Sequence, residues 1–206
     1  MFIQVIQGQI TDTGEMRTAL DRWHAELAPG ADGWLGTTAG VTDDGMFVNT
    51  ARFESQEVAR RNSERPEQGQ WWAETAKLFS GEVAFHDCTE VYMYLEGGSD
   101  TAGFVQVMQG RIRDPQRMHE IIVRGERGLA EVRPDLIGGF AALHGDGGYT
   151  EVAYFTSEQA AREGEGKPLP AEMRELFEAW KGMFEGEPTY FDLRDPWLYS
   201  PPPKTA

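Results

Sequence analysis

Cysteine is nearly missing from this chain: Cys88 is the only one among 206 residues. A single thiol can form neither an intrachain disulfide nor a cysteine-based metal site. Basic side chains are scarce too, 19 Lys and Arg against 34 Asp and Glu, for a formal net charge of −15. That balance argues against nucleic acid and anionic membrane surfaces, which both need a basic face to offset phosphate repulsion. No apolar run approaches the ~18 residues a membrane helix requires. The N-terminus lacks a basic segment followed by a long apolar one, so no signal peptide is expected. With so little cysteine, the expected location is the reducing cytoplasm. The sequence also has no phosphate loop, no nucleophile elbow, no H-E-x-x-H and no clustered metal ligands, so no metal and no tightly bound organic cofactor is expected.

What the chain does have is the same text twice. "FIQVIQGQI" begins at position 2 and "FVQVMQGRI" at position 104. Shifted by 102 places, residues 2–60 lie over 104–162 without a gap. Gln4 meets Gln106, Gln7 meets Gln109, Gly36 meets Gly138, Asp44-Gly45 meets Asp146-Gly147 and Phe53 meets Phe155. Further on, "LFSGEVAFHD" lies over "MFEGEPTYFD" after a three-residue insertion in the second copy. The expected organisation is one module at 1–95, a polar, glycine-rich linker at 96–103, a second module at 104–195 and a C-terminal arm at 196–206.

Each copy has the same internal order. The opening stretch is β-branched and alternating, as a strand is. Asp12 with Glu15, and Asp114 with Pro115, signal helix starts. Met16, Leu20, Trp23 and Leu27 recur at helical spacing, as do Met118, Ile122, Gly125 and Leu129. "WLGTTAGV" and "MFVNTARF" flank an Asp-Gly turn and form a hairpin, as do "LIGGFAAL" and "YTEVAYF". Ser55 and Ser157 cap a second helix. "VAFHDCTEVYMY" or "PTYFDLRD" closes each copy as one strand. The order βαββαβ, twice, predicts an α+β fold of two ferredoxin-like modules. Each four-stranded sheet would expose an apolar bare face, and an apolar patch that large needs a cover. The expectation is therefore that the two modules pack sheet to sheet as an intrachain pseudo-dimer, with a further homodimer of chains compatible with it. The aromatic arms "VYMYLEG" and "PWLYSPP" are each expected to run on to the opposite copy.

The βαββαβ order, "GWLG" at 33–36, "ARFESQEVA" at 51–59 and its recurrence "AYFTSEQAA" at 153–161 carry a resemblance. The chain resembles the antibiotic-biosynthesis-monooxygenase-like domains of the dimeric α+β barrel superfamily, over nearly all of both copies. The resemblance implies a pocket between the sheet and the helices of a module. It also implies activities ranging from cofactor-free oxygenation of polycyclic aromatics to haem degradation. The haem-degrading branch uses an asparagine late in strand 1 and a helical tryptophan and histidine. Here Gln7 and Gln109 occupy the strand position and His86 falls in a strand, which departs from that branch.

Several side chains could line such a pocket. Gln4 and Gln7 have opposite parity on strand 1. With Ile3 and Val5 assigned to the helix side, Gln7 would face the pocket and Gln4 the opposite face. Asn49 shares parity with Phe47 and Phe53, and Glu151 sits at the matching place in the second copy. A polar group in an apolar row is a site candidate because unpaired burial is costly; the bland alternative is a hairpin position that reaches water. His86, replaced by Phe191 in the second copy, is the candidate general base, since its ordinary pKa of ~6.5 suits proton abstraction near neutrality. A structural histidine is the bland alternative. Trp72 would wall the pocket, Gln7 and Asn49 would orient the substrate, and Gln109 would mirror Gln7. The resulting expectation is a monooxygenase-like protein acting on a hydrophobic aromatic small molecule, with His86 and Asn49 as catalytic candidates. The alternative is a non-catalytic protein that binds or senses such a molecule. If a pocket is used, the first copy is expected to carry it.

Overall fold

The computed structural model describes residues 1–145 and 147–201. Asp146, expected in the second Asp-Gly turn, and 202–206, most of the "PPPKTA" finish, lie outside the described residues. The first copy runs β1 (Phe2–Gln9), α1 (Thr13–Arg22) continued by a π-helical turn (Trp23–Leu27), β2 (Trp34–Val41), β3 (Met46–Phe53), α2 (Gln56–Ser63), α3 (Pro66–Thr75) and β4 (Ala84–Cys88). After β5 (Glu90–Leu95) the second copy gives β6 (Phe104–Arg111), α4 (Pro115–Val132), β7 (Leu136–His144), β8 (Gly148–Phe155), α5 (Glu158–Glu165), α6 (Ala171–Lys181) and β9 (Thr189–Leu193). β10 (Trp197–Tyr199) is the last element among the described residues. The α+β class and the doubled βαββαβ order are thus present.

Helix starts follow the chemistry of their caps. The Asp12 carboxylate accepts from Glu15 N at 2.8 Å and Asp114 from Arg117 N at 2.9 Å. Ser55 accepts from Val58 N and Ser157 from Ala160 N. Each satisfies a backbone donor that the first helical turn leaves open. The second helix of the first copy is broken in two. Arg65 is extended, with φ −66° and ψ 132°, because the ring of Pro66 disfavours helical geometry in the residue before it.

The chain divides into two compact units. One holds Met1–Thr89 with the described residues from Asp195 on, the other Glu90–Arg194. Each unit contains one five-stranded antiparallel sheet, ordered β10-β2-β3-β1-β4 in the first and β5-β7-β8-β6-β9 in the second. The fifth strand of each sheet comes from the arm that follows the other copy. This corrects one expectation: "VAFHDCTEVYMY" is not one strand but divides at Thr89, with β4 pairing β1 and β5 pairing β7.

The recurring glycine explains how an arm can lie there. A Cβ on Gly36 would sit 2.9 Å from Tyr199 O, and one on Gly138 would sit 2.7 Å from both N and O of Gly97. The arm backbone crosses at the residue that has no side chain.

In the first unit Phe2, Phe47 and Phe53 point from the sheet to the helices and pack with Met16, Leu20 and Trp23. Trp23 meets Trp34 edge-on at 5.1 Å and Trp71 at 6.5 Å, contacts worth ~0.5–1.5 kcal/mol each beyond area burial. On the other face of the same sheet Ile3, Val5 and Val48 are buried.

Candidate functional site

β3 lies in the middle of its sheet, so Asn49 is flanked by Ile6 of β1 and Ala39 of β2. Its side chain points with those of Phe47 and Phe53 toward the helices. Asn49 is 5% exposed, and its Oδ1 accepts no hydrogen bond among the described residues. Leaving a buried acceptor unpaired costs ~1–3 kcal/mol. Most buried polar groups do find partners, so an orphan calls for an explanation.

The orphan lies on a cavity of about 720 Å³ between the sheet and the helices of the first unit. Phe2, Phe53, Trp23 and Trp71 give it apolar walls. The indole N–H groups are already used: Trp23 Nε1 donates to Gln68 Oε1 at 2.6 Å and Trp71 Nε1 to Ala19 O at 2.9 Å. These rings therefore offer the cavity hydrocarbon and π surface rather than donors. Tyr199, from β10, also lines it, but its hydroxyl turns away and donates to Asp21 Oδ1 at 2.7 Å. Burial, then that bond, raise the Tyr199 pKa above its ordinary value.

Gln4 and Asp87 supply the polar edge. They are paired across β1 and β4, and Gln4 Nε2 donates to Asp87 Oδ1 at 2.9 Å. Arg60 of α2 also borders the cavity. It is held by Glu57, at 2.8 Å, and by Glu64 on its own helix side.

The second unit repeats this framework with different contents. Gln106 Nε2 donates to Asp192 Oδ1 at 2.9 Å, but here the matching arginine, Arg162, reaches over and pairs with Asp192. It also sits over the Phe104 ring at 5.3 Å. Gln159 and Gly166 stand where the first copy has Glu57 and Glu64, and Arg162 is paired on its own helix with Glu158 and Glu165 instead. Glu151 takes the place of Asn49 and is fully satisfied. Tyr94 Oη donates to its Oε1 at 2.8 Å and Tyr149 Oη to its Oε2 at 2.7 Å. Burial pushes the Glu151 carboxyl above the usual range, against the opposing effect of the two phenols. Burial and then Glu151 push both phenols well above theirs.

The residues singled out from the sequence are only partly brought together. Asn49 and Phe53 line the cavity, while Phe47 packs against Phe79 and Trp197 on the same face. The parity of strand 1 is the reverse of that expected: Phe2, Gln4 and Ile6 border the cavity, so Gln7 shares the opposite face with Ile3 and Val5. Gln109 is placed likewise, its Nε2 donating to Thr150 Oγ1 at 3.2 Å. His86 pairs with Val5 and neighbours Asp87 in β4, so it too points away from Asn49. Burial lowers its pKa. Trp72 packs against Trp71, Phe79 and Phe85, and Trp71 is the one that walls the cavity. Gln4 and Asp87 are the functional candidates that sequence reasoning missed. Their signal was available, since both recur in the second copy as Gln106 and Asp192.

Among the described residues no three His, Cys, Asp or Glu side chains converge as metal ligands, and no helix is long and apolar enough to cross a membrane. No protein-family model matches the chain, and no curated protein sequence matches it. Solved structures do match. Two bear the name "putative monooxygenase". The one from Lactobacillus acidophilus NCFM has a TM-score of 0.74 and 12% identity, covering 97% of this chain and 95% of that one. The one from Fusobacterium nucleatum has 0.75 and 8%, covering 97% and 94%. An anthrone oxidase-like protein has 0.66 and 11%, covering 96% and 92%. At such identities the likeness is one of fold. The chain therefore has the tandem ferredoxin-like fold of these monooxygenase-related proteins.

Proposed function

We propose that the first unit binds a hydrophobic, hydroxylated aromatic molecule and oxygenates it without a tightly bound organic cofactor. The observation that carries this reading is the orphaned Asn49 Oδ1 on a cavity with aromatic walls. A ring hydroxyl donating to Asn49 would remove the cost of that unpaired acceptor. The ring itself would rest against Trp23, Trp71 and Phe53, as aromatic ligands do in apolar pockets with a few placed polar groups.

In such a reaction the substrate itself reduces dioxygen. A phenol-type ring loses its hydroxyl proton, one oxygen atom enters the ring to give a quinone, and the other leaves as water. Asp87 is the proton acceptor this arrangement offers, oriented by Gln4. His86, the candidate read from the sequence, lies on the other face of the sheet. Water-poor walls would strengthen each polar contact to the developing anion.

The test is 1-naphthol in air, followed by dioxygen uptake and 1,4-naphthoquinone formation. The expected result is turnover that falls at least 100-fold in Asp87→Asn and Asn49→Ala, on the scale of a lost general base or oriented polar group. 1-Naphthol bound but never consumed would reject the oxygenase reading and leave binding without turnover. That second reading is favoured by one detail: the carboxylate best placed to take a proton already accepts a bond from Gln4.

A further inference from the structure

We infer that the second unit is a ligand pocket of the same design that the chain fills with a phenol of its own, Tyr94. The inference stands on the geometry of the second unit, whether or not the first unit turns over a substrate.

The two arm strands sit in identical register on the two sheets. Tyr94 pairs with Gly139 and Tyr199 pairs with Thr37, and positions 37 and 139 are equivalent under the 102-residue repeat. Tyr94 and Tyr199 are therefore the same residue of the design, with opposite fates. Tyr94 is 4% exposed and lies inward, its hydroxyl on the carboxylate at the Asn49-equivalent position. Tyr199 remains half-buried at the cavity edge, with its hydroxyl on Asp21.

One residue accounts for the difference. A Cβ added to Gly139 would lie 2.2 Å from Tyr94 Oη and 2.4 Å from its Cζ. The phenol lies flat on the strand only because nothing projects there. Thr37 has a Cβ at that place, and its hydroxyl is fixed by Trp34 Nε1 at 3.1 Å. A phenol entering the first unit the way Tyr94 enters the second would collide with it. Thr37 keeps the first pocket open, and Gly139 lets the second be plugged.

The plug also states what the pocket recognises. The ring itself is buried, and its hydroxyl meets a half-buried carboxylate, Glu151, that Tyr149 holds in place from the other side. That is a complete recognition site for a small phenol, with the ligand covalently supplied. Apolar cavities of ~150 Å³ opened by truncating a large side chain admit single-ring aromatics. Here the polar end would add selectivity for a hydroxyl, because a ligand without one leaves Glu151 Oε1 short of the donor that Tyr94 supplies.

The experiment is calorimetric titration of the full chain with phenol, with toluene as the isosteric control. Tyr94→Ala should bind one more equivalent of phenol than the wild type, and prefer it over toluene at that added site by at least 10-fold. Tyr94→Phe keeps the ring and should gain no site. If Tyr94→Ala is unfolded alone, phenol should restore its melting transition and toluene should not. A folded Tyr94→Ala protein with no added phenol site, an added site that takes toluene equally well, or an unfolded one that phenol fails to restore would overturn the inference. The wild-type stoichiometry reports the first unit separately. No phenol bound by the wild type with one equivalent bound by Tyr94→Ala would reject the reading of the first pocket and leave this one standing.

Discussion

Gln4 and Asp87 face each other across β1 and β4, with Nε2 2.9 Å from Oδ1, and Gln106 and Asp192 repeat the pair at the same distance. What differs is the arginine above them. Both arginines pair with glutamates on their own helix, Arg60 with Glu57 and Glu64 and Arg162 with Glu158 and Glu165, but Arg162 also pairs with Asp192 and covers Phe104. Arg162→Ala should cost about 1 kcal/mol, the sum of a partly exposed ion pair and a cation–π contact. Arg60→Ala should change stability by less than about 0.5 kcal/mol, since its partners are exposed. Urea midpoints of the two variants check this. Equal losses would show that the arginines play the same role.

The arm is predicted to hold the first unit together through Trp197. That ring is 3% exposed, packs against Phe47 at 6.2 Å and lies under Arg17 at 5.6 Å. Trp197→Ala should cost about 3–5 kcal/mol, the range for truncating a large buried aromatic. Deleting 196–206 should cost at least as much, because β2 also loses a strand. A melting temperature unchanged by the deletion would show that the arm contributes nothing.

Much of this fold was legible in the sequence because local chemistry and the repeat agreed. Asp12, Asp114, Ser55 and Ser157 announce their helices, and the 102-residue repeat announces the same order of elements twice. The face of β1 was not legible. Both faces of a central strand are buried, so Ile3 and Val5 on one side look no more core-like than Phe2 and Ile6 on the other. Reversing that assignment moved Gln7 and His86 off the cavity and brought Gln4 and Asp87 to it. The division at Thr89 was hidden for a related reason: β4 and β5 read as one alternating run, and only pairing with two different sheets separates them. The role of Gly139 needed the register of the arm, which no local pattern encodes.

Stability should depend on pH through Glu151. Burial raises its folded pKa above the unfolded value of ~4.3. The folded state then keeps a proton that the unfolded chain has released. The associated stability is fully present below the unfolded pKa and is lost as pH rises through the folded one. Glu151→Gln cannot ionise, so its stability should fall less than that of the wild type as pH rises above ~4.3. Urea midpoints from pH 4 to 8 give the difference curve. Parallel curves would mean that Glu151 titrates as an ordinary exposed carboxylate.

The most direct test concerns Asn49, through an exchange of stability for affinity. Asn49→Leu replaces a buried orphan acceptor by hydrocarbon of similar volume, which should leave the ligand-free protein as stable or raise it by about 1 kcal/mol. The same change should weaken binding of 1-naphthol at least 10-fold, the effect of about 1.4 kcal/mol, while leaving naphthalene unaffected. The decisive measurement is the ratio of 1-naphthol affinities, wild type over Asn49→Leu, by titration calorimetry. A ratio of ten or more with a variant at least as stable is the predicted result. A ratio near one, with the variant folded, would contradict the claim that Asn49 is kept unpaired for a ligand hydroxyl.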